Sequence, residues 1–192
     1  MQALLFDHGP QLLVDDQRGL IAYSAGAVPR ADADRWFEAL RDGIAWSSER
    51  RMMYEREVDV PRLLTHFALD DEDLPDVPRE AAALVGRLVG ADFNSVGLNF
   101  YRDGRDSVAP HNDKLHDLVP GAPIAIISLG AARRMTIREK AAPRRSVDVD
   151  LEHGSLLTMS HATQRHFDHG IPKTRSPVGP RISLAFRQRR VA

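Results

Sequence analysis

The chain of 192 residues is long enough for one substantial domain, and its content of 43% hydrophobic and 28% charged residues is typical of a globular protein. It contains no cysteine, which excludes disulfides, thiol catalysis, cysteine-ligated zinc and iron–sulfur clusters. The net charge of −1 gives no overall electrostatic attraction to nucleic acid, although residues 133–145 form a strongly basic segment.

The sequence predicts no membrane partner, because no apolar run approaches the length of a membrane span. Residues 1–8 are too few and too polar for a signal peptide. We therefore expect a cytoplasmic protein, and we expect it to be a monomer.

The N-terminal half is predicted to combine short strands with two amphipathic helices. Strands are expected at residues 12–14 and 20–23, and helices at residues 31–44 and 78–88. Between the helices, residues 46–65 are polar and strand-like, and we expect Pro61 to break that strand.

The C-terminal half changes to brief apolar runs separated by Gly, Pro and Asp. Strands are predicted at residues 96–101, 124–129, 134–138, 146–151, 155–159 and 182–187. This pattern favours an α+β fold: a double-stranded β-helix, or jelly roll, with the N-terminal helices packed on one sheet.

Two imidazoles and a carboxylate form the ligand set that holds non-haem Fe(II), and the sequence offers candidates for it. His111 and Asp113 are two residues apart, so both side chains point the same way in an extended segment. The second imidazole could come from any of several histidines. Spacing alone does not choose among them: His153, His161, His166 and His169.

Two strands carry polar side chains suited to an anionic ligand. Arg181 and Ser183 share one face of the last strand, and Arg187 keeps the same parity. Arginine can hold a carboxylate through two parallel hydrogen bonds. Asn99 and Tyr101 lie on one face of an earlier strand, just before His111.

The order of these motifs resembles the AlkB family of Fe(II)- and 2-oxoglutarate-dependent dioxygenases. Asn-x-Tyr, His-x-Asp, a distal His and Arg-x-Ser-x-x-Phe-Arg follow one another between residues 60 and 187, and the resemblance is strongest from Leu98 onward. It implies that iron is bound by three catalytic residues: His111, Asp113 and His169. It also implies that 2-oxoglutarate contacts four residues: Asn99, Tyr101, Arg181 and Arg187. We add Ser183 to these contacts, because it shares one face of the last strand with Arg181.

The resemblance implies the cofactors Fe(II), 2-oxoglutarate and O2, and the oxidative demethylation of N-alkylated bases of the 1-methyladenine and 3-methylcytosine type. Formaldehyde and succinate would be released. The expected partner is alkylated single- or double-stranded nucleic acid, from which the base must be flipped. We expect a single domain, residues 1–192, in which residues 1–92 form the helical support and substrate lid and residues 93–190 form the dioxygenase core.

The substrate side departs from the family pattern. Residues 60–62 resemble the start of the nucleotide-recognition lid, but an acidic turn at residues 70–76 follows, and candidates for base stacking are reduced to Trp46, Tyr54 and Phe67. We expect substrate contacts from Arg62, Phe67, Lys114 and Arg133. The alternatives are the same oxygenase chemistry on a protein side chain or small metabolite, and a binding module whose metal residues are vestigial.

Overall fold

The computed structural model of the chain describes residues 9–53 and 56–190. Within them lie twelve strands: β1 Gln11–Asp16, β2 Gly19–Ser24, β3 Ser47–Met53, β4 Arg56–Ala68, β5 Ser95–Tyr101, β6 Val108–His111, β7 Ile124–Gly130, β8 Arg133–Glu139, β9 Ser146–Leu151, β10 Ser155–Met159, β11 Phe167–Ile171 and β12 Arg181–Arg187. The α-helices are α1 Arg30–Gly43, α2 Asp76–Val89 and the one-turn α3 Thr163–His166.

The strands form two antiparallel sheets that face each other. The larger sheet has the order β1-β2-β10-β7-β12-β5-β4-β3, and the smaller has the order β6-β11-β8-β9. One core cluster fills the space between the sheets, with Ile21 and Leu157 from the larger sheet and Ile137 and Val149 from the smaller one. The predicted jelly roll is therefore confirmed.

The helices α1 and α2 pack on the outer face of the larger sheet, as predicted. Trp36 and Leu40 from α1 and Val85 from α2 join a second core cluster with Leu184 and Phe186 of β12. The indole Nε1 of Trp36 donates a 2.8 Å hydrogen bond to the Glu80 carboxylate and so ties α1 to α2. No helix in the described part of the chain is both long and apolar enough to cross a lipid bilayer.

The prediction that Pro61 breaks the strand was wrong, because β4 runs through it from Arg56 to Ala68. The pairing of β3 with β4 shifts register between Ser48 and Arg50, and Pro61 lies opposite that shift. A bulge tolerates the missing N–H of proline. The Pro61 carbonyl accepts a 2.8 Å hydrogen bond from the Ser107 N–H, which connects β4 to the segment before β6.

Residues 9–92 contribute more than helical support. They supply β1 to β4, which extend both ends of the larger sheet. The short strands β6 and β11 and the helix α3 were not predicted. Each spans five residues or fewer, which is too short for a periodic pattern to show.

Candidate active site

A cavity of about 590 Å³ lies between the two sheets. Its floor is formed by alternate side chains of β12, which are Arg181, Ser183, Ala185 and Arg187. The intervening side chains of β12 belong to the core cluster under the helices. This division follows from the two-residue period of a strand, so that one strand supplies both the core and the site.

His111 and His169 face each other across the antiparallel pair of β6 and β11. Their ring centroids are 4.5 Å apart. His111 Nδ1 lies 3.0 Å from the Ala109 carbonyl oxygen. A hydrogen bond there requires the proton on Nδ1, which leaves Nε2 as a lone-pair donor for a metal.

The other three candidate histidines do not line the cavity. His153 Nδ1 accepts a 2.8 Å hydrogen bond from the Gly130 N–H. His161 and His166 lie in the turn and helix before β11. Of the alternatives that spacing left open, His169 is therefore the one that the fold brings to His111.

Asp113 follows His111 by two residues, and its carboxylate is held by Arg187. Arg187 Nε lies 2.6 Å from Asp113 Oδ2, and Arg187 Nη2 lies 3.0 Å from Asp113 Oδ1. Burial opposes the ionisation of Asp113, but the Arg187 guanidinium outweighs it and holds the pKa of Asp113 below its ordinary value. The carboxylate is thus kept in the anionic form.

His169 is buried and stays neutral. Burial, followed by the neighbouring His111, lowers the pKa of His169 to about 3. A neutral imidazole is the form that coordinates a metal ion.

The donor set of His111, His169 and Asp113 fits Fe(II), since two neutral imidazoles and one ionised carboxylate are its facial ligand set. Within residues 9–53 and 56–190, no three His, Asp or Glu side chains have the spacing of a closed metal centre. Both oxygens of Asp113 are instead engaged by Arg187. The predicted ligands therefore line one cavity and are of the chemical types that bind Fe(II), but they are not arranged as a closed ligand group.

Arg181 is a buried cation, with 1% of its surface exposed. Its Nη2 donates a 2.8 Å hydrogen bond to Ser128 Oγ, and its guanidinium carbon lies 5.1 Å from the centre of the Tyr101 ring. Its Nε and Nη1 find no hydrogen-bond partner among the described residues. A buried charge with unsatisfied donors is costly, so the arrangement fits an anionic ligand.

Arg62 lines the cavity and donates hydrogen bonds to Asn99 and to the Ser107 carbonyl oxygen. Its Nε donates a 2.7 Å hydrogen bond to Asn99 Oδ1, and Asn99 Nδ2 lies 3.4 Å from Ser183 Oγ. Arg62 therefore fixes which way the Asn99 amide is turned. All the predicted 2-oxoglutarate contacts, Asn99, Tyr101, Arg181, Ser183 and Arg187, line the same cavity.

Three of the predicted substrate residues are not brought to the cavity. Phe67 packs against the core cluster under the helices, and Lys114 is exposed outside the cavity lining. Arg133 is buried, and its guanidinium donates to the carbonyl oxygens of Asp103, Asp106 and Pro172 at 2.8–3.0 Å. Its hydrogen bonds hold loops together, which corrects the expectation of a substrate contact.

The candidates for base stacking also lie elsewhere. Trp46 packs its ring on Phe100, with the centroids 5.2 Å apart. Tyr54 lies outside the described residues. The sequence interpretation missed His66, which lines the cavity together with Arg62 and Leu64. The alternation of β4 would have indicated it, had Pro61 not been taken as the end of the strand.

The family model described as the 2OG-Fe(II) oxygenase superfamily matches residues 21–187. The chain belongs to this superfamily. Human DNA oxidative demethylase ALKBH2 is 40% identical to it over 111 residues, which cover 54% of this chain and 42% of that protein. Mouse alpha-ketoglutarate-dependent dioxygenase alkB homolog 3 is 40% identical over 181 residues, which cover 84% of this chain and 63% of that protein.

These relatives support the AlkB family, which the order of the motifs predicted for this 2OG-Fe(II) oxygenase. The matched region spans about half of the length of these curated relatives, 42% and 63%. The solved structure of OsALKBH1 has the same fold, with a TM-score of 0.62 at 16% identity, over 88% of this chain and 97% of that one.

Proposed function

We propose that the chain is an Fe(II)- and 2-oxoglutarate-dependent dioxygenase that oxidatively demethylates N-alkylated bases in DNA or RNA, with release of formaldehyde and succinate. The observation that carries the proposal is one cavity containing two facing imidazoles, an ionised carboxylate and the buried, incompletely bonded Arg181. The curated relatives named as a DNA oxidative demethylase and an alkB homolog support the nucleic-acid substrate.

Different residues of the cavity would bind the metal and the co-substrate. His111, His169 and Asp113 would hold Fe(II), and Arg181 would pair with one carboxylate of 2-oxoglutarate. Bound iron, 2-oxoglutarate and O2 together supply the oxidising power to hydroxylate a C–H bond. Arg187 neutralises Asp113 and presents a positive charge to the other end of the dicarboxylate, while Asn99 and Tyr101 offer hydrogen bonds.

Apolar side chains also line the cavity. Ile126, Met135 and Ile171 line the same cavity as the two histidines and Arg181. Exclusion of water strengthens the ion pairs inside the cavity. Hydroxylation of an N-methyl group gives an N-hydroxymethyl group, which loses formaldehyde and returns the proton to the base nitrogen.

A second candidate is the same chemistry on a protein side chain or a small metabolite. It is favoured by the part of the cavity lining that comes from β4, which includes Arg62, Leu64 and His66, whereas Phe67 packs on the opposite face. Within the described residues, β4 therefore offers the substrate no stacking phenyl ring. A cytoplasmic location and a monomeric state stay predictions.

The test is incubation of the purified protein with Fe(II), 2-oxoglutarate, O2 and oligonucleotides that contain 1-methyladenine or 3-methylcytosine. We expect formaldehyde and succinate in equal amounts, and no formaldehyde from unmethylated oligonucleotides or from the His169→Ala variant. Succinate without formaldehyde would contradict base demethylation and leave the second candidate. Absence of 2-oxoglutarate turnover would contradict both.

A further inference from the structure

The segment that carries Asp113 is held by a side chain from a distant part of the chain. The strand β6 ends at His111, so Asp113 lies beyond the last residue of that strand. Its backbone N–H instead donates a 2.9 Å hydrogen bond to Gln164 Oε1. Gln164 belongs to α3 and has 1% of its surface exposed. A buried amide is thus committed to the backbone of a candidate metal ligand.

Lys140 completes the connection from the loop after β8. Its Nζ donates 2.7 Å hydrogen bonds to Asn112 Oδ1 and to the Gln164 carbonyl oxygen. Its own N–H donates to the His166 carbonyl oxygen at 2.9 Å. Asn112, the middle residue of the His-x-Asp motif, therefore provides an anchor for Lys140.

The same short segment also precedes the strand that carries His169. The helix α3 ends at His166, and β11, which carries His169, begins at the next residue. Gln164 therefore supports Asp113 from a helix that leads directly into the strand of His169.

We propose that Gln164 and Lys140 are positioning residues that set the direction of the Asp113 carboxylate relative to His169 and so determine the affinity for the metal ion. The inference rests on the metal site of the proposed function. Partners that orient the ligands of a metal typically contribute about 10–100-fold to its affinity.

Lys140 gives a discriminating test because its charge and its hydrogen bonds have opposite effects. A cation near a metal site opposes binding of another cation, so a purely electrostatic role predicts tighter metal binding when Lys140 is neutralised. A positioning role predicts weaker binding, because the Asn112–Asp113 segment loses its support.

The matched control is Arg138. Arg138 Nη2 lies 3.8 Å from Asp168 Oδ2, and Lys140 Nζ lies 3.9 Å from Asp168 Oδ1. Lys140→Met and Arg138→Met therefore each remove one cation beside Asp168. Only Lys140→Met removes the bonds to Asn112 and Gln164.

The experiment is titration of the purified protein with Co²⁺, followed by the visible absorption of the bound ion, which reports the number and geometry of its ligands. We expect Lys140→Met to raise the Co²⁺ Kd about tenfold or more and to change the absorption bands. Arg138→Met should leave the Kd unchanged or lower it. Lys140→Arg, which keeps the donors, should recover most of the affinity.

Gln164→Leu tests the second proposed positioning residue, with Ser155→Ala as its control. Ser155 is equally buried and donates a 2.7 Å hydrogen bond to the Glu152 carbonyl oxygen. Both variants lose stability, but only Gln164→Leu should weaken Co²⁺ binding. If Gln164→Leu does not fold, the partly exposed Lys140 still allows the test.

Unchanged or tighter Co²⁺ binding by Lys140→Met, with normal binding by the unmodified protein, would overturn the positioning role and leave the proposed function intact. Absence of Co²⁺ binding by the unmodified protein would overturn the metal site and, with it, the positioning role of Gln164 and Lys140.

Discussion

Arg181 and Asp113 show two ways in which a buried charge is accommodated in this site. Asp113 is matched by two hydrogen bonds from Arg187, whereas Arg181 donates to the neutral hydroxyl of Ser128 and leaves its Nε and Nη1 without a hydrogen-bond partner among the described residues. Burial lowers the pKa of Arg181, but its guanidinium has no means of losing a proton near neutral pH. The unsatisfied charge is therefore available to a carboxylate ligand.

Arg181→Met should remove most of the affinity for 2-oxoglutarate, by about 2–5 kcal/mol, because a desolvated charge pair is lost. The stability of the ligand-free variant should not fall in proportion, since the lost group was an incompletely paired buried cation. Thermal unfolding with increasing 2-oxoglutarate in the presence of Mn²⁺ measures both effects. The exposed Arg175→Met is the control, and normal stabilisation of Arg181→Met by 2-oxoglutarate would contradict the assignment.

Asp106 gives a prediction for the pH dependence of stability. It is buried and accepts hydrogen bonds of 2.8 and 2.9 Å from the Arg102 guanidinium. Burial opposes its ionisation, but Arg102 outweighs it and lowers the pKa of Asp106 below its ordinary value of 3.8. A carboxylate whose pKa is lower in the folded state stabilises the fold above the unfolded pKa, and this contribution is lost as the pH falls through the folded pKa.

Asp106→Asn should therefore reduce the free energy of unfolding at pH 7 by about 1–3 kcal/mol, the contribution of hydrogen bonds to a charged group. The difference from the unmodified protein should shrink as the pH falls below about 4. Urea unfolding across this pH range measures it, and the exposed Asp92→Asn serves as the control. A difference that did not change with pH would exclude the ion pair as its cause.

At the scale of elements, the pair of β6 and β11 decides whether the two imidazoles meet. Gly170 follows His169, and a Cβ atom there would lie 2.9 Å from the Val108 carbonyl oxygen and 3.0 Å from Pro110 N. Both are backbone atoms of β6, which cannot turn aside as a flexible side chain can. The close approach of these strands therefore depends on glycine.

Gly170→Ala should push β6 away from β11, reduce the free energy of unfolding by about 1–3 kcal/mol and weaken metal binding. Urea unfolding and Co²⁺ titration give the two quantities. The control is Gly179→Ala, where the nearest heavy atom to an added Cβ is Ala131 Cβ at 3.7 Å, an ordinary contact. Unchanged metal affinity in Gly170→Ala would show that the strands separate without moving the histidines.

At the scale of the whole molecule, the larger sheet separates two functions. Its outer face packs against α1 and α2, and its inner face carries the cavity and the core between the sheets. The helices stabilise the sheet and line no part of the cavity. Loss of helix packing should therefore affect stability and leave the site chemistry of the folded protein unchanged.

Leu40→Ala, in the middle of the helix-side core, should reduce the free energy of unfolding by about 2–5 kcal/mol. Leu88 on α2 is exposed, and Leu88→Ala should change the free energy of unfolding by less than about 0.5 kcal/mol. Urea unfolding distinguishes the two variants. The KM for 2-oxoglutarate should stay the same in both, and a large rise in Leu40→Ala would contradict the separation of the two faces.

The sequence by itself determined the features that depend on neighbouring residues. The two-residue period of β12 placed Arg181, Ser183 and Arg187 on one face, and that of β5 placed Asn99 beside Tyr101. The amphipathic patterns gave α1 and α2 to within two residues at each end. The motif order then identified the family.

Only the tertiary structure decided what depends on strand order and register. The Asp113–Arg187 pair joins residues 74 positions apart, and the Asp113–Gln164 bond joins residues 51 positions apart. Arg133 was misread because its carbonyl partners come from two loops that meet only in the fold. Phe67 was expected to contact the substrate, but adjacent residues of a strand face opposite sides of the sheet, and Phe67 faces away from the cavity. The bulge at Pro61 interrupts the alternation along β4 that would have indicated this.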